Sequence, residues 1–83
     1  MFDLSGRTIA ITGALGVLGC AISRGLAASG ANLALLDHRI ASGQKFCASL
    51  GEEGSSRTVV IEADVLNPES LARAADAVVH RFG

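Results

Sequence analysis

Arg7-Thr8-Ile9-Ala10-Ile11-Thr12-Gly13-Ala14-Leu15-Gly16-Val17-Leu18-Gly19-Cys20-Ala21-Ile22-Ser23-Arg24-Gly25-Leu26-Ala27-Ala28-Ser29-Gly30 is the stretch on which the fold of this chain turns. A short apolar run, Thr8 to Thr12, leads into three glycines within seven positions (Gly13, Gly16 and Gly19) and then into a helical segment closing at Gly30. Strand, glycine-rich turn and helix in that order set a bound phosphate against a helix N-terminus. The glycines let the backbone turn tightly, come close to an anion and pack helix on strand. The free amides of the first helical turn then face the phosphate, with the positive end of the helix dipole behind them.

Before this stretch, residues 2–7 form a polar lead-in that turns at Ser5-Gly6. Thr8 to Thr12 has almost no polar alternation, which predicts a strand covered on both faces of a parallel sheet. From Val17 to Ser29, the positions Leu18, Ile22, Gly25 and Leu26 keep helical spacing and predict the inner face, with Ser23, Arg24 and Ser29 elsewhere. Gly30 stands where a left-handed C-cap is wanted.

After Gly30, Asn32 to Leu36 reads as a second buried strand ending at Asp37-His38-Arg39. A weaker helix follows from Ile40 to Leu50, with Ile40, Cys47 and Leu50 inward and Gly51 as its stop. Gly43 inside it costs roughly 1 kcal/mol relative to Ala, which predicts an irregular first turn. Glu52 to Ser56 reads as a loop, and Arg57 to Ala63, centred on Thr58-Val59-Val60-Ile61, as the third strand. Asn67 and Pro68 suit the N-cap and first residue of a last helix. That helix would turn Leu71, Ala75, Val78 and Phe82 inward and Arg73, Asp76, Ala77 and His80 to water.

The order β-α-β-α-β-α predicts an α/β fold: a Rossmann-like parallel sheet with flanking helices, strand order 3-2-1. This is one mononucleotide-binding half of a doubly wound sheet. Strand 1 would then be a raw apolar edge, which invites association, and its neighbour is expected just past Gly83. Residues 1–83 are accordingly expected to be the N-terminal part of a single domain.

Composition narrows the partners. With 83 residues, net charge −1 and only seven Lys and Arg, no basic stripe exists to neutralise nucleic-acid phosphates. Three Phe without Trp or Tyr offer no stacking platform for bases. No apolar run reaches the ~18 residues of a membrane span, and Met1 to Ser5 lacks the basic start of a secretory signal. Cys20 and Cys47 have no metal-type spacing, so no metal is expected and a reduced, cytoplasmic setting is. Cys20, in the first helical turn, is either a thiol activated by the dipole or a small packing residue; Cys47 reads as core.

The glycine loop, the acid ending strand 2 and Ala63-Asp64-Val65 together resemble the short-chain dehydrogenase/reductase family. Leu4-Ser5-Gly6-Arg7 and His80-Arg81-Phe82-Gly83 match its phrasing at either end, so the resemblance spans the whole chain but only the cofactor-binding part of such an enzyme. One departure is visible: the common branch of the family has glycine where this chain has Val17, and the middle glycine here is Gly16, as in the extended branch. A Gly-Val-Leu-Gly version also occurs in the common branch, notably among sugar-acid reductases.

The resemblance implies roles residue by residue. Gly13 would turn under the adenosine, the backbone around Gly16, Val17 and Leu18 would cradle the pyrophosphate, and Leu15 would be among the cofactor-binding residues. Gly19 would give close helix packing. Asp37 would accept hydrogen bonds from the adenosine ribose, Asp64 and Val65 would meet the adenine edge, and His38 would flank it. Asp64 as a local turn former, and His38 and His80 as plain surface residues, are the alternatives.

Asp37 lies 18 residues beyond Gly19, close to the ~20 at which this fold places its ribose-binding carboxylate. A 2′-phosphate there would meet a fixed negative charge at on the order of 4 kcal/mol per like pair at 4 Å and an effective dielectric of 20. The loop offers no cation, since Ala14 and Leu15 fill the places where one could help; Arg39 is the one counter-argument. NAD is therefore expected over NADP. The family's hydride transfer uses a Tyr and a Lys, but this chain has no Tyr, and its one Lys, Lys45, falls in the second helix. No catalytic residue is expected within the 83 positions.

Two functions remain open. One is the cofactor-binding segment of an NAD-dependent oxidoreductase acting on an alcohol or carbonyl substrate, a sugar or sugar acid among the candidates, and homo-oligomeric when complete. The other is a self-contained nucleotide-binding or interaction module without catalysis.

Overall fold

The computed structural model describes residues 3–83; Met1 and Phe2 of the expected lead-in lie outside the described residues. Its elements are β1 (Thr8–Thr12), α1 (Val17–Ala28), β2 (Asn32–Asp37), α2 (Ile40–Ala48), α3 (Gly51–Ser56), β3 (Thr58–Glu62) and α4 (Pro68–Phe82). The strands pair in parallel in the order β1-β2-β3, which is the expected 3-2-1 order counted from the other edge.

Side-chain alternation on β2 divides the core in two. Leu33 and Leu35 are fully buried on one face, with Ala27, Ala31 and Phe46 and with Ile9, Ile11 and Val60 packed against them. Ala34 and Leu36 point the other way, to Ala63, Ala74, Val78 and Phe82. Helices α1 and α2 thus cover one face and α4 the other. Each fully buried Leu contributes roughly 1.5–3 kcal/mol relative to exposure.

β1 departs from expectation. It was expected to be covered on both faces, yet only Ile9 and Ile11 are covered, while Thr8, Ala10 and Thr12 are exposed. The cause is geometric: α4 packs on β2 and β3, and β1 is the sheet edge.

The inner face of α1 is also rotated from the expected one. Leu26 packs against the core as expected, but Ser23 and Ala27 are the buried residues of the helix and Leu18 and Ile22 are exposed. Ser23 can be buried because its hydroxyl donates to the Gly19 carbonyl at 2.7 Å, which leaves no unpaired polar atom facing the sheet. On α4 the residue pressed to the sheet is Ala74, one position before the expected Ala75, which is exposed.

Turn chemistry explains most boundaries. Gly30 has φ +92°, and α1 closes with Gly30 N–H on the Ala27 carbonyl and Ala31 N–H on that of Leu26, the two bonds of a Schellman end. Asn67 caps α4, its side chain accepting from the amides of Glu69 and Ser70. Gly43 does not loosen α2; it lets the helix lie on β3, where an added Cβ would come within 2.6 Å of Val60. Residues 51–56, expected as a loop, form the short helix α3. Two glycines and two serines give it little propensity. Glu52 and Glu53 sit in its first turn where the dipole favours them, and buried Gly54 packs against Leu50.

Gly19 is where α1 meets the strand-loop junction. A Cβ there would stand 2.6 Å from the Gly13 carbonyl oxygen and 2.7 Å from that of Ala14. Both obstacles are backbone, so neither can rotate away. Gly19→Ala should lower stability by about 1–3 kcal/mol despite its better helix propensity, as read by chemical denaturation; an unchanged midpoint would show that the junction is loose.

Candidate functional site

Parallel pairing brings the C-terminal ends of all three strands to one side of the sheet. In a doubly wound fold this is the side at which ligands bind. A cleft of about 650 Å³ opens there, walled by Thr12 and Gly13 after β1, Leu36 to Arg39 after β2, and Ala63 to Leu66 after β3. Of the residues singled out from the sequence, Gly13, Asp37, His38, Asp64 and Val65 share this cleft. Leu15, Gly16, Val17, Leu18 and Gly19 belong to the adjoining loop and the first turn of α1, not to its walls.

The loop is built by three glycines for three reasons. Gly13 has φ +63°, which a side chain would resist, and its N–H donates to the Leu36 carbonyl at 2.9 Å. Gly19 is demanded by close packing, as above. Gly16 is demanded by neither: φ is −70°, and an added Cβ would meet only the Gly13 carbonyl, at an ordinary 3.6 Å. Nothing in the chain's own packing requires glycine there. Gly16 is also the N-cap of α1, no side chain caps that end, and Val17 and Leu18 beyond it are 94% and 74% exposed. The first-turn amides are therefore open to a ligand.

Asp37 is the most constrained polar group of the site. The residue is only 4% exposed, and its carboxylate accepts four hydrogen bonds. Oδ2 takes the Leu15 N–H at 3.2 Å and the Arg39 Nη2 at 2.9 Å. Oδ1 takes the Arg39 N–H at 3.1 Å and the Arg39 Nε at 3.0 Å. The Arg39 guanidinium, with help from the Leu15 and Arg39 amides and against the cost of burial, holds this carboxyl far below the usual range. His38 lies at the rim, its Nδ1 3.5 Å from Asp37 Oδ1 and its side chain mostly in water.

Asp64 is exposed, and its carboxylate accepts the Leu66 N–H at 2.9 Å, the local turn that was the alternative to a ligand role. It nevertheless lines the cleft, with Val65 and Leu66 exposed beside it. Leu66 and the bidentate grip of Arg39 on Asp37 were not anticipated. The spacing Asp-x-Arg at a strand end was the available signal for the second.

The thiols lie outside the cleft. Cys20 and Cys47 are free, half-buried and packed against the core around Leu33, and burial pushes the Cys47 thiol up. Among the described residues no group of three or more His, Cys, Asp or Glu is arranged to hold a metal, and no helix is long and apolar enough to cross a membrane.

Comparison with known proteins agrees with this geometry. The family model described as short chain dehydrogenase matches residues 7–83. The chain is 37% identical over 81 residues to the uncharacterized oxidoreductase UxuB of Bacillus subtilis (strain 168), covering 98% of this chain and 29% of that protein. It is 39% identical over 75 residues to galactitol 2-dehydrogenase (L-tagatose-forming) of Cereibacter sphaeroides, covering 90% and 28%. The crystal structure of a glucose/ribitol dehydrogenase of the short-chain type from Brucella melitensis superposes with a TM-score of 0.91 at 36% identity, over 99% of this chain and 34% of that one. The chain thus spans under a third of the length of the two curated relatives.

The carboxylate gives a pH signature. Because its folded pKa is depressed, its stabilisation is fully present above the unfolded value of about 3.9 and is lost progressively as pH falls below it. Asp37→Asn should melt several degrees below the parent chain at pH 7. The gap should shrink below about pH 4; a gap independent of pH would mean that the lost charge is not its cause.

Proposed function

The chain belongs to the short-chain dehydrogenase family, and we propose that it is the cofactor-binding N-terminal portion of an NAD-dependent oxidoreductase acting on an alcohol or carbonyl carbon. The observation that carries this reading is the 3.2 Å hydrogen bond from the Leu15 amide to Asp37, 22 residues away, which ties the glycine loop to the acid at the end of β2. A phosphate-binding turn and a ribose-binding carboxylate have to be neighbours if one dinucleotide is to touch both.

In this assignment the amides of Val17 and Leu18 take the pyrophosphate at the N-terminus of α1, and Gly16 leaves room for it. Asp37 takes the ribose hydroxyls, and Asp64, Val65 and His38 border the adenine. Bound there, the nicotinamide end of the cofactor supplies hydride transfer. The residues of this chain bind and orient, and the groups that move the substrate's proton belong to sequence past Gly83. NAD is favoured over NADP because a buried, ionised Asp37 opposes a 2′-phosphate.

A polyol or sugar is the favoured substrate class, since a galactitol dehydrogenase and a glucose/ribitol dehydrogenase are among the similar proteins. The two free thiols suit a reduced, cytoplasmic compartment. The exposed edge of β1 and the exposed Val17, Leu18 and Ile22 suit coverage by the remainder of a doubly wound domain and assembly into a homo-oligomer. Neither nucleic acid nor a membrane is proposed as a partner, given a net charge of −1.

The assignment is tested in the full natural chain by NADH fluorescence titration of Gly16→Ala. The new Cβ has room, so the variant should lose about 1 kcal/mol or less as an N-cap. It should nevertheless bind NADH about tenfold more weakly, or worse, because the methyl occupies the cradle. Undiminished binding would place the pyrophosphate elsewhere. In the same protein, Asp37→Ala should narrow the preference for NAD over NADP; an unchanged ratio would remove Asp37 from the ribose.

A further inference from the structure

The Asp37 carboxylate assigned to the ribose has no acceptor site to spare. A carboxylate offers about four lone-pair positions, and all four are taken, two by backbone amides and two by the Arg39 guanidinium. The two amides belong to the glycine loop and to the turn leaving β2, so their positions are set by the fold. The guanidinium is different: its side chain is 45% exposed on a flexible stem, against 2% for Asp37. A ribose diol that donates to Asp37 has to displace a donor, and only this one can leave.

We infer that Arg39 is a latch on the cofactor site, closed over Asp37 in the free protein and displaced by the ribose when a dinucleotide binds. This rests on the dinucleotide reading and adds a consequence to it. Only the fraction of molecules with Arg39 swung out is competent for NAD, so the apparent affinity falls by that fraction. The released guanidinium then stands at the rim beside the ribose, carrying a mobile positive charge near the 2′ oxygen. A 2′-phosphate would hold it there with charge-assisted, bidentate hydrogen bonds. A plain ribose would not. Arg39 therefore works against NAD and for NADP, while Asp37 works the other way, and the pair sets how sharply the site discriminates.

The test is equilibrium titration of NADH and NADPH into the full natural chain and into Arg39→Ala and Arg39→Lys. Arg39→Ala should bind NADH about 3–10-fold more tightly than the parent, as expected for opening a site that is roughly 10–30% competent. It should bind NADPH more weakly. Arg39→Lys keeps the charge but lacks the fork, so NADH should fall between the two and NADPH should stay near the parent. Raising salt should bring the parent and Arg39→Ala together for NADH, because the exposed half of the ion pair is screened. A loss of fold would weaken both cofactors alike and would not produce opposite shifts. Equal or weaker NADH binding by Arg39→Ala overturns the latch while the cofactor reading stands. If the parent itself fails to bind NADH, that reading falls and the latch with it.

Discussion

A hydrogen bond between residues 15 and 37 ties the glycine loop to the acid at the end of β2, and the register of the sheet makes it possible. Parallel pairing sets Thr12 beside Leu36, so the next residues, Gly13 and Asp37, leave their strands side by side. Gly13 bends the chain at positive φ, its amide held by Leu36, and Leu15 arrives over the carboxylate. A slip of one residue in β2 would turn Asp37 to the opposite face and send Leu33 and Leu35 to the α4 side. The hydrophobic pattern that buries those two leucines thus also aims the acid. Core and site share one register.

The same economy runs through the glycines. In sequence, Gly13, Gly16 and Gly19 look like one motif with one purpose, but the structure separates them into a turn, a helix N-cap with room for a side chain and a packing contact. Val17, where the common branch of the family has glycine, costs nothing at its position because its side chain projects into solvent from the first turn of α1. The departure from the usual spacing leaves the loop's three geometric tasks in place. Gly16 is the informative one of the three, since neither its φ nor its surroundings within the chain account for a missing side chain.

The strands and most element boundaries were legible because they are written in local chemistry: β-branched and leucine runs, Gly30 as a helix end, Asn67-Pro68 as a helix start. What escaped depends on tertiary contact. Residues 51–56 are poor helix formers, held by packing of Gly54 and by the favourable placement of Glu52 and Glu53. The inner face of α1 differs from the hydrophobic pattern because Leu18 and Ile22 outrank Ser23 on any hydrophobic count, whereas Ser23 satisfies its own hydroxyl within the helix and is buried without cost to its polarity. The shift from Ala75 to Ala74 has a similar origin: for two adjacent alanines the pattern carries no preference, and contact with Ala34, Leu36 and Ala63 decides. At the site, Asp37 was visible from its distance to Gly19, but the state of its carboxylate was not. That depends on the Arg39 side chain folding back across two residues: the Asp-x-Arg spacing permits the contact but does not select the rotamer that makes it.

The fold-back answers a problem that any buried binding carboxylate poses. An ionised acid so nearly excluded from water is tolerable only when its lone pairs are filled. A ligand can fill them, but the chain also has to fold and persist without one. Two fixed amides supply half of the compensation, and they alone would leave a charged group short of partners at the edge of an apolar cleft. Arg39 supplies the rest from a position where it can withdraw, because its side chain is 45% exposed against 2% for Asp37. On the dinucleotide reading, the strength of the Asp37–Arg39 pair and the affinity for a ribose are then coupled with opposite sign: whatever tightens Asp37 to Arg39 must be undone before two hydroxyls can take the same oxygens. On the dinucleotide reading, a residue two positions after the acid influences NAD affinity without contacting NAD, through the Asp37–Arg39 pairing that the ribose has to displace.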